Sequence, residues 1–554
     1  MTPFFGSKLI FGGLTYGLAA RMWVICWIGS SLPSMAAATD FIITIGGGYE
    51  PAANQASLEA NVLFFDQVLL TQPRGNRNQA TYFADGKDAE ADVQYLIDAD
   101  PANNVASIQA GNETDNQPVS QLLERLYAGG DENRLAYRNH RVEPISGANV
   151  PEVIHAGLQH MTRKMKTGDR LIVYVTAHGG EAEGRNPYNT TISCWDEQAI
   201  TARQFENWLD DVPNTVPVVL VMAQCYCGGF AHTIFDDALR QRGLSPQIRV
   251  GFFAQQHDLP AAGCRPDIEN DEEYSSFFWG AFVGHSRNGK PLESADFNHD
   301  GRISFAEAHA LAMLTSETID LPLRGSEALL RVTSRIGGGY DHRRDGVEME
   351  ASDSGDNPFV DHVDDSLDLS SLASMVGTLD ELTAGVAEEY RQTVSGLARQ
   401  LEIRLDSQVS SVFEQFEQQR ELYAELERTA RRGRRSGSGR RQLRQELARQ
   451  WPELSSESWR SSDLLRDANQ SELFEQISKL PSYARYETNH RQRLVKEAAK
   501  EAAELHEVKF QRLIDTLEAI LLARNLSLVA SSEVVERYQQ MLLVEQGGLA
   551  AADG

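Results

Sequence analysis

The chain has 554 residues, and 79 acidic side chains against 52 basic ones give a formal charge of −27. That length exceeds what one hydrophobic core supports, and an apolar content of 41 % argues against a disordered chain. The acid excess opposes binding to nucleic acid, or to an anionic membrane over the whole body, and five cysteines are too few for a disulfide scaffold.

Residues 1–38 carry only the charges of Lys8 and Arg21, then the apolar run 22–28 and the small residues 34–38. That order reads as a secretory signal peptide, because the apolar run is too short for a membrane span. The alternative is an uncleaved anchor that also uses residues 4–20. The expected location is secreted or periplasmic, with membrane contact only if the segment is retained.

From Phe41 short apolar runs alternate with helical stretches. Strands are expected at 41–45, closing on Gly46-Gly47-Gly48, and at 171–176, closing on Ala177-His178-Gly179-Gly180. Two more are expected at 216–222, closing on Ala223-Gln224-Cys225, and at 248–253. Helical spacing marks 55–70, 200–210 and 230–242. Near-continuous apolar strands between helices predict an α/β fold, a mostly parallel sheet covered on both faces, over residues 39–325.

An acidic linker is expected over 326–368, with Asp345, Glu348, Glu350, Asp353, Asp356, Asp361, Asp364, Asp365 and Asp368. From 369 to 545 apolar residues step by three or four, first from Leu372 to Phe416 and again over 490–524. That spacing predicts an α-helical coiled coil or bundle, a surface for a protein partner or for self-association. The Arg-rich segment 431–444, interrupted by Gly and Ser, is expected as an exposed loop. It reads as a basic turn against acidic surface, a cleavage site, or a local polyanion contact.

His178 and Cys225 each end an apolar strand. In a parallel sheet such ends share one edge, where ligands gather. A thiolate is a nucleophile and an imidazole beside it can accept and return the proton. Each residue alone is a common structural feature; their conjunction, 47 residues apart, carries the reading. In caspases a Gln-Ala-Cys signature follows its His by about 50 residues.

The blocks Val175-Thr-Ala-His-Gly-Gly180 and Met222-Ala-Gln-Cys-Tyr-Cys-Gly-Gly-Phe230 resemble the caspase-like superfamily of cysteine endopeptidases, which includes metacaspases, legumains and gingipains. The second block is nearest the Cys-x-Ser-Gly form of legumain-like and bacterial members. Cys227 stands where those members carry Ser, and Cys225 is taken as the nucleophile because it directly follows the strand and Gln224. The resemblance implies a caspase-like sheet, an acyl-enzyme on Cys225, and His178 protonating the leaving amine and then activating water. It also implies an oxyanion hole of backbone N–H groups at Gly179 and Cys225, with bare glycines beside them to let substrate approach. Family members shape the pocket before the cut from the loop after the fourth strand. There Asp267, Glu269 and Asp271 would select Arg or Lys, or form a solvated acidic loop.

Asp296-Phe-Asn298-His-Asp300-Gly301-Arg302-Ile303-Ser304-Phe-Ala-Glu307 matches the EF-hand loop at each diagnostic place. Calcium is the expected cofactor, held by Asp296, Asn298, Asp300, the Arg302 carbonyl and Glu307, with a helix leaving at 308–318. A single loop in a calcium-rich compartment reads as structural rather than as a switch. Cys194 and Cys264 are a candidate disulfide. The expected function is a calcium-binding cysteine endopeptidase acting on peptide or protein substrates. The alternative is an inactive calcium-binding scaffold that keeps the fold.

Overall fold

The computed structural model describes residues 39–72, 76–96, 118–127, 135–262, 273–334, 377–434, 438–455, Trp459, 462–465 and 467–549. The expected address at 1–38, most of the acidic linker, and the acidic residues of 263–272 lie outside them.

The strands are β1 (Thr39–Gly47), β2 (Asn76–Phe83), β3 (Val93–Leu96), β4 (Leu135–Arg138), β5 (Arg170–Ala177), β6 (Gly179–Gly180), β7 (Thr191–Cys194), β8 (Gln198–Thr201), β9 (Val218–Met222), β10 (Arg249–Phe253) and β11 (Leu323–Arg324). The central sheet runs β11-β10-β9-β5-β1-β2, parallel except at the β10–β11 edge. β9 and β10 are buried at every residue and β5 at all but its first, which is why they read as continuous apolar runs. β2 escaped sequence reading because it is an edge strand, polar and largely open over its first four residues.

The helices up to residue 334 are α1 (Ala56–Thr71), α2 (Pro118–Tyr127), α3 (Pro151–Thr162), α4 (Ala202–Leu209), α5 (Tyr274–Gly280), α6 (Phe305–Thr315) and α7 (Gly325–Thr333), and all but α2 pack on the sheet. Phe65 of α1 and Trp279 of α5 close on Tyr174 of β5, at centroid distances of 4.9 and 5.3 Å. Between α3 and α4, His155 stacks on Trp208 at 4.7 Å. The helix expected over 230–242 is instead a set of short 3-10 turns, Cys227–Ile234, Asp236–Ala238 and Arg240–Arg242. Left-handed backbone at Tyr226 and Asp237 breaks any longer helix there.

The linker expected from residue 326 starts later. Residues 325–333 form α7, whose buried Leu329 and Leu330 join the sheet core. Nine residues are too few for periodicity to announce, and the boundary moves past 334.

Beyond the gap come α8 (Leu379–Thr383), α9 (Glu388–Gln400), α10 (Val409–Arg434), α11 (Ser438–Gln450), α12 (Asp467–Ser478), α13 (Pro481–Val529) and α14 (Ser532–Glu545). The stripe from Leu372 to Phe416 is thus not one helix. Gly385 at φ 76° and Glu402 at φ 57° interrupt it. The Arg-rich segment is mostly helical too, since α10 runs to Arg434 and α11 begins at Ser438. α10 lies antiparallel to α13: Phe416 meets Phe510, and Gln419 donates to the Ala503 carbonyl at 3.0 Å.

This helical part is not a detached tail. Leu522, Leu526, Val534, Tyr538, Met541 and Leu549 belong to the same apolar cluster as the sheet. Each large side chain buried there stabilises the fold by roughly 1.5–3 kcal/mol. The Phe305 N–H donates to the Gly547 carbonyl at 2.7 Å. Buried Arg512 reaches the carbonyls of Met313, Ser316 and Asp320 at 2.7–2.9 Å. At the far end, α2 enters a separate cluster through Leu122 and Leu126 with Leu443 and Leu447 of α11.

Candidate active site

The site is built by register. β5 and β9 are neighbours, with Val175 level with Met222, and the Ala223 N–H donates to the Val175 carbonyl at 2.9 Å. His178 and Cys225 each lie three residues past that matched pair, so both leave the sheet at the same height on adjacent strands. Gly179 sits directly on the Cys225 backbone: a Cβ there would stand 2.1 Å from the Cys225 carbonyl oxygen. Close packing of two strand ends therefore demands glycine at 179.

His178 is clasped from β1. Past the turn at Gly47, φ 89°, the chain carries Tyr49, whose ring meets the imidazole edge-on at 5.7 Å. Nε2 of His178 lies 2.8 Å from the Ala53 carbonyl and 2.9 Å from Gln55 Oε1. A carbonyl only accepts, so Nε2 carries the proton and Nδ1 keeps the lone pair a base needs. Burial lowers the pKa of His178 below its ordinary value, with the Ala53 carbonyl opposing, so the ring is neutral near pH 7. Tyr49, Ala53 and Gln55 were missed in sequence, although β1 plainly adjoins β5 and its carboxyl end shares their edge.

Cys225 is 2 % exposed, and its sulfur accepts the Ala261 N–H at 3.1 Å. It is disulfide-bonded, through a partner outside the described residues. Cys194 and Cys227 are free and buried, so the expected Cys194–Cys264 bridge is absent. Burial in the core pushes both free thiols up to about 12. Cys227 also accepts the Gln255 N–H at 3.2 Å, which makes it a structural thiol and not a rival nucleophile.

The glycines after Cys227 do not open the site. A Cβ on Gly228 would stand 2.7 Å from the His257 nitrogen, and one on Gly229 would stand 2.2 Å from Thr190 Oγ1. They are bare because the loop folds tightly on its neighbours. Beside them lies a small cavity of about 40 Å³ lined by Tyr188, His232, His257 and Arg331. Tyr188 stacks on His232 at 3.7 Å and meets His257 at 4.4 Å. Burial lowers the pKa of both histidines, so this wall is neutral apart from its arginine. The expected pocket residues Asp267, Glu269 and Asp271 lie outside the described residues.

The loop at 296–307 closes on itself. His299 at φ 60° and Gly301 at φ 82° turn it. The Asp300 N–H donates to Asp296 Oδ1 at 3.0 Å and to Asn298 Oδ1 at 2.9 Å, so two side chains turn onto one backbone N–H. Glu307 caps α6 through Ser304, and its Oε1 accepts the Phe297 and Asn298 N–H groups at 2.9 and 3.2 Å. The five oxygen donors are of the hard kind calcium takes, but the carboxylate oxygens of Asp296, Asp300 and Glu307 do not all lie within 4.8 Å of one another. Glu307 would have to trade backbone N–H groups for the ion. Among the described residues only the exit helix, α6, flanks the loop; the stretch from Arg287 to Ala295 on the entry side is not helical.

Among the described residues no helix is long and apolar enough to cross a membrane. No family model and no curated protein matches the chain. Among solved structures, a crystal structure of a protein from Geobacter sulfurreducens aligns with a TM-score of 0.28 and 8 % identity, over 51 % of this chain and 92 % of its own. A likeness that low carries no argument about fold or function.

Proposed function

We propose that the chain is a cysteine endopeptidase of the caspase-like type, with Cys225 as nucleophile and His178 as general base and acid. One observation carries the reading: adjacent parallel strands in register end on a histidine and a cysteine at one height, and the histidine is oriented by a backbone carbonyl. Nucleophile, base and orienting group are the minimal set for acyl transfer. Once reduced, Cys225 gives up its proton to Nδ1 of His178 and its sulfur adds to the scissile carbonyl. The imidazolium returns that proton to the departing amine, and water then releases the acyl group. An electrophilic peptide probe, applied after reduction, should label the wild type and leave Cys225→Ala unmarked. Equal labelling of both would end the peptidase reading.

The disulfide on Cys225 favours a second reading, an inactive calcium-binding scaffold. Calcium is common to both. Chelation should lower the thermal midpoint of the wild type, and Glu307→Gln should melt alike with and without Ca2+. A wild type indifferent to chelation, with no calcium bound, would remove the metal.

A further inference from the structure

Beneath the loop that clasps His178, two aspartates and a histidine are brought together by three strand ends. Asp85 follows β2, Asp92 precedes β3, and His140 follows β4. Their possible ligand atoms all lie within 4.8 Å of one another. Asp92 is only 1 % exposed. Its Oδ1 accepts the His140 N–H at 2.8 Å, but its Oδ2 is buried with no hydrogen-bond partner, and so is Oδ1 of Asp85. Asp85 is half-buried and faces Asp92, so the two carboxyls repel unless they share a proton in a hydrogen bond or a cation stands between them. Arg138, on the same pair of strands, is committed to Glu59 at 2.9 Å.

His140 is already prepared as a ligand. Its Nε2 meets the Gly86 carbonyl at 2.7 Å and so carries the proton. Nδ1 accepts the Val142 N–H at 3.2 Å, a long bond whose lone pair a metal would have to take over. A ring nitrogen donating to a backbone carbonyl fixes the tautomer and orientation, as in metal-binding histidines. In the other acidic cluster, Glu206, Asp210 and Asp236, the buried Oε2 of Glu206 also lacks a partner, but Arg249 pairs with Glu206 and Asp210 at 2.7 and 2.6 Å and already supplies the positive charge.

We propose that Asp85, Asp92 and His140 bind a divalent transition-metal cation, with zinc suited to this nitrogen and oxygen set. Tetrahedral bonds of about 2.0–2.1 Å require ligand atoms about 3.4 Å apart, so the three side chains draw in by roughly an ångström. Burial, with the Asp92 charge, pushes the Asp85 carboxyl up to about 7, and a cation would restore its ionised form. The ion would also brace the dyad. Asn54 donates to the Asp92 carbonyl at 2.9 Å and accepts the Gly48 N–H at 3.0 Å, and the residue before it, Ala53, supplies the carbonyl on His178.

The test is calorimetric titration of the calcium-saturated full chain with Zn2+. The wild type should take one equivalent. Asp85→Asn, Asp92→Asn and His140→Ala should bind it roughly 100-fold more weakly or not at all. Circular dichroism identifies any variant that fails to fold, and the less buried Asp85→Asn then decides. No zinc uptake by the wild type would overturn the proposal, as would folded variants that bind like it. Zinc lost only in His178→Ala, or only in Asp296→Asn, would place the ion on the dyad or the calcium loop and overturn it equally.

Discussion

Purified without reductant, the protein should cleave peptides at no measurable rate, and a thiol reductant should raise the rate by about 10³-fold or more. The reason is electronic. A sulfur held in a disulfide has no lone thiolate to offer, and Cys225 is so held. Cys194 and Cys227 are free already, so neither has a bond for reductant to open in producing such a gain. A fluorogenic peptide assay with rising dithiothreitol checks this, with Cys225→Ser as the control that should stay flat. A rate that ignores both reductant and Cys225→Ser would leave the dyad without a role. Silence under every condition would favour the scaffold.

The second large effect concerns stability. Arg324, fully buried at the β11 edge, faces three carboxylates: Glu327 at 3.1 Å, Glu545 at 3.4 Å and Glu389 at 3.8 Å. Its guanidinium also lies over the Tyr390 ring at 4.2 Å. These partners come from α7, α14 and α9, so one side chain ties the sheet to three helices. Arg324→Leu would strand three acids in the interior and should cost about 3–5 kcal/mol, read by urea unfolding at neutral pH. Burial already pushes Glu545 up to about 7, opposed by Arg324. Without the arginine its folded pKa should rise further above the unfolded value. Protonation then favours the folded state, and part of the loss should be recovered as pH falls toward 5. Arg404→Ala, whose pair with Asp406 lies in solvent, should leave the curve in place. An equally small loss for Arg324→Leu would show that the buried cluster binds nothing together.

The parts legible in sequence were those whose periodicity is local. β1, β5, β9 and β10 are apolar on both faces, so four strands and the shared edge of their ends could be read directly, but not their order in the sheet. His178 and Cys225 followed, because a strand's end is visible where its apolar run stops. Other features depended on distant residues. Nothing local to Cys225 announces a disulfide, and nothing about Ala53 marks it as the carbonyl that holds the His178 ring. The roles of Gly228 and Gly229 were misread for the same reason: Thr190 and His257, which crowd them, are dozens of residues away. The paired aspartates of the proposed zinc site are unremarkable acids until β2 and the antiparallel β3–β4 pair bring them face to face with His140.

The placement of Leu549 has a consequence for how this chain is made. Every strand of the central sheet has been synthesised by residue 324, yet the apolar surface it shares with α13 and α14 stays uncovered until residue 549 is available. The amino-terminal half cannot settle first and wait, as domains of a growing chain usually do. It must remain open, with its apolar edge exposed, through more than two hundred further residues of synthesis. A chain cut short before Leu549 would therefore not be a trimmed but folded protein. It would be an unfinished core, sticky along the very surface that the last helix was to cover.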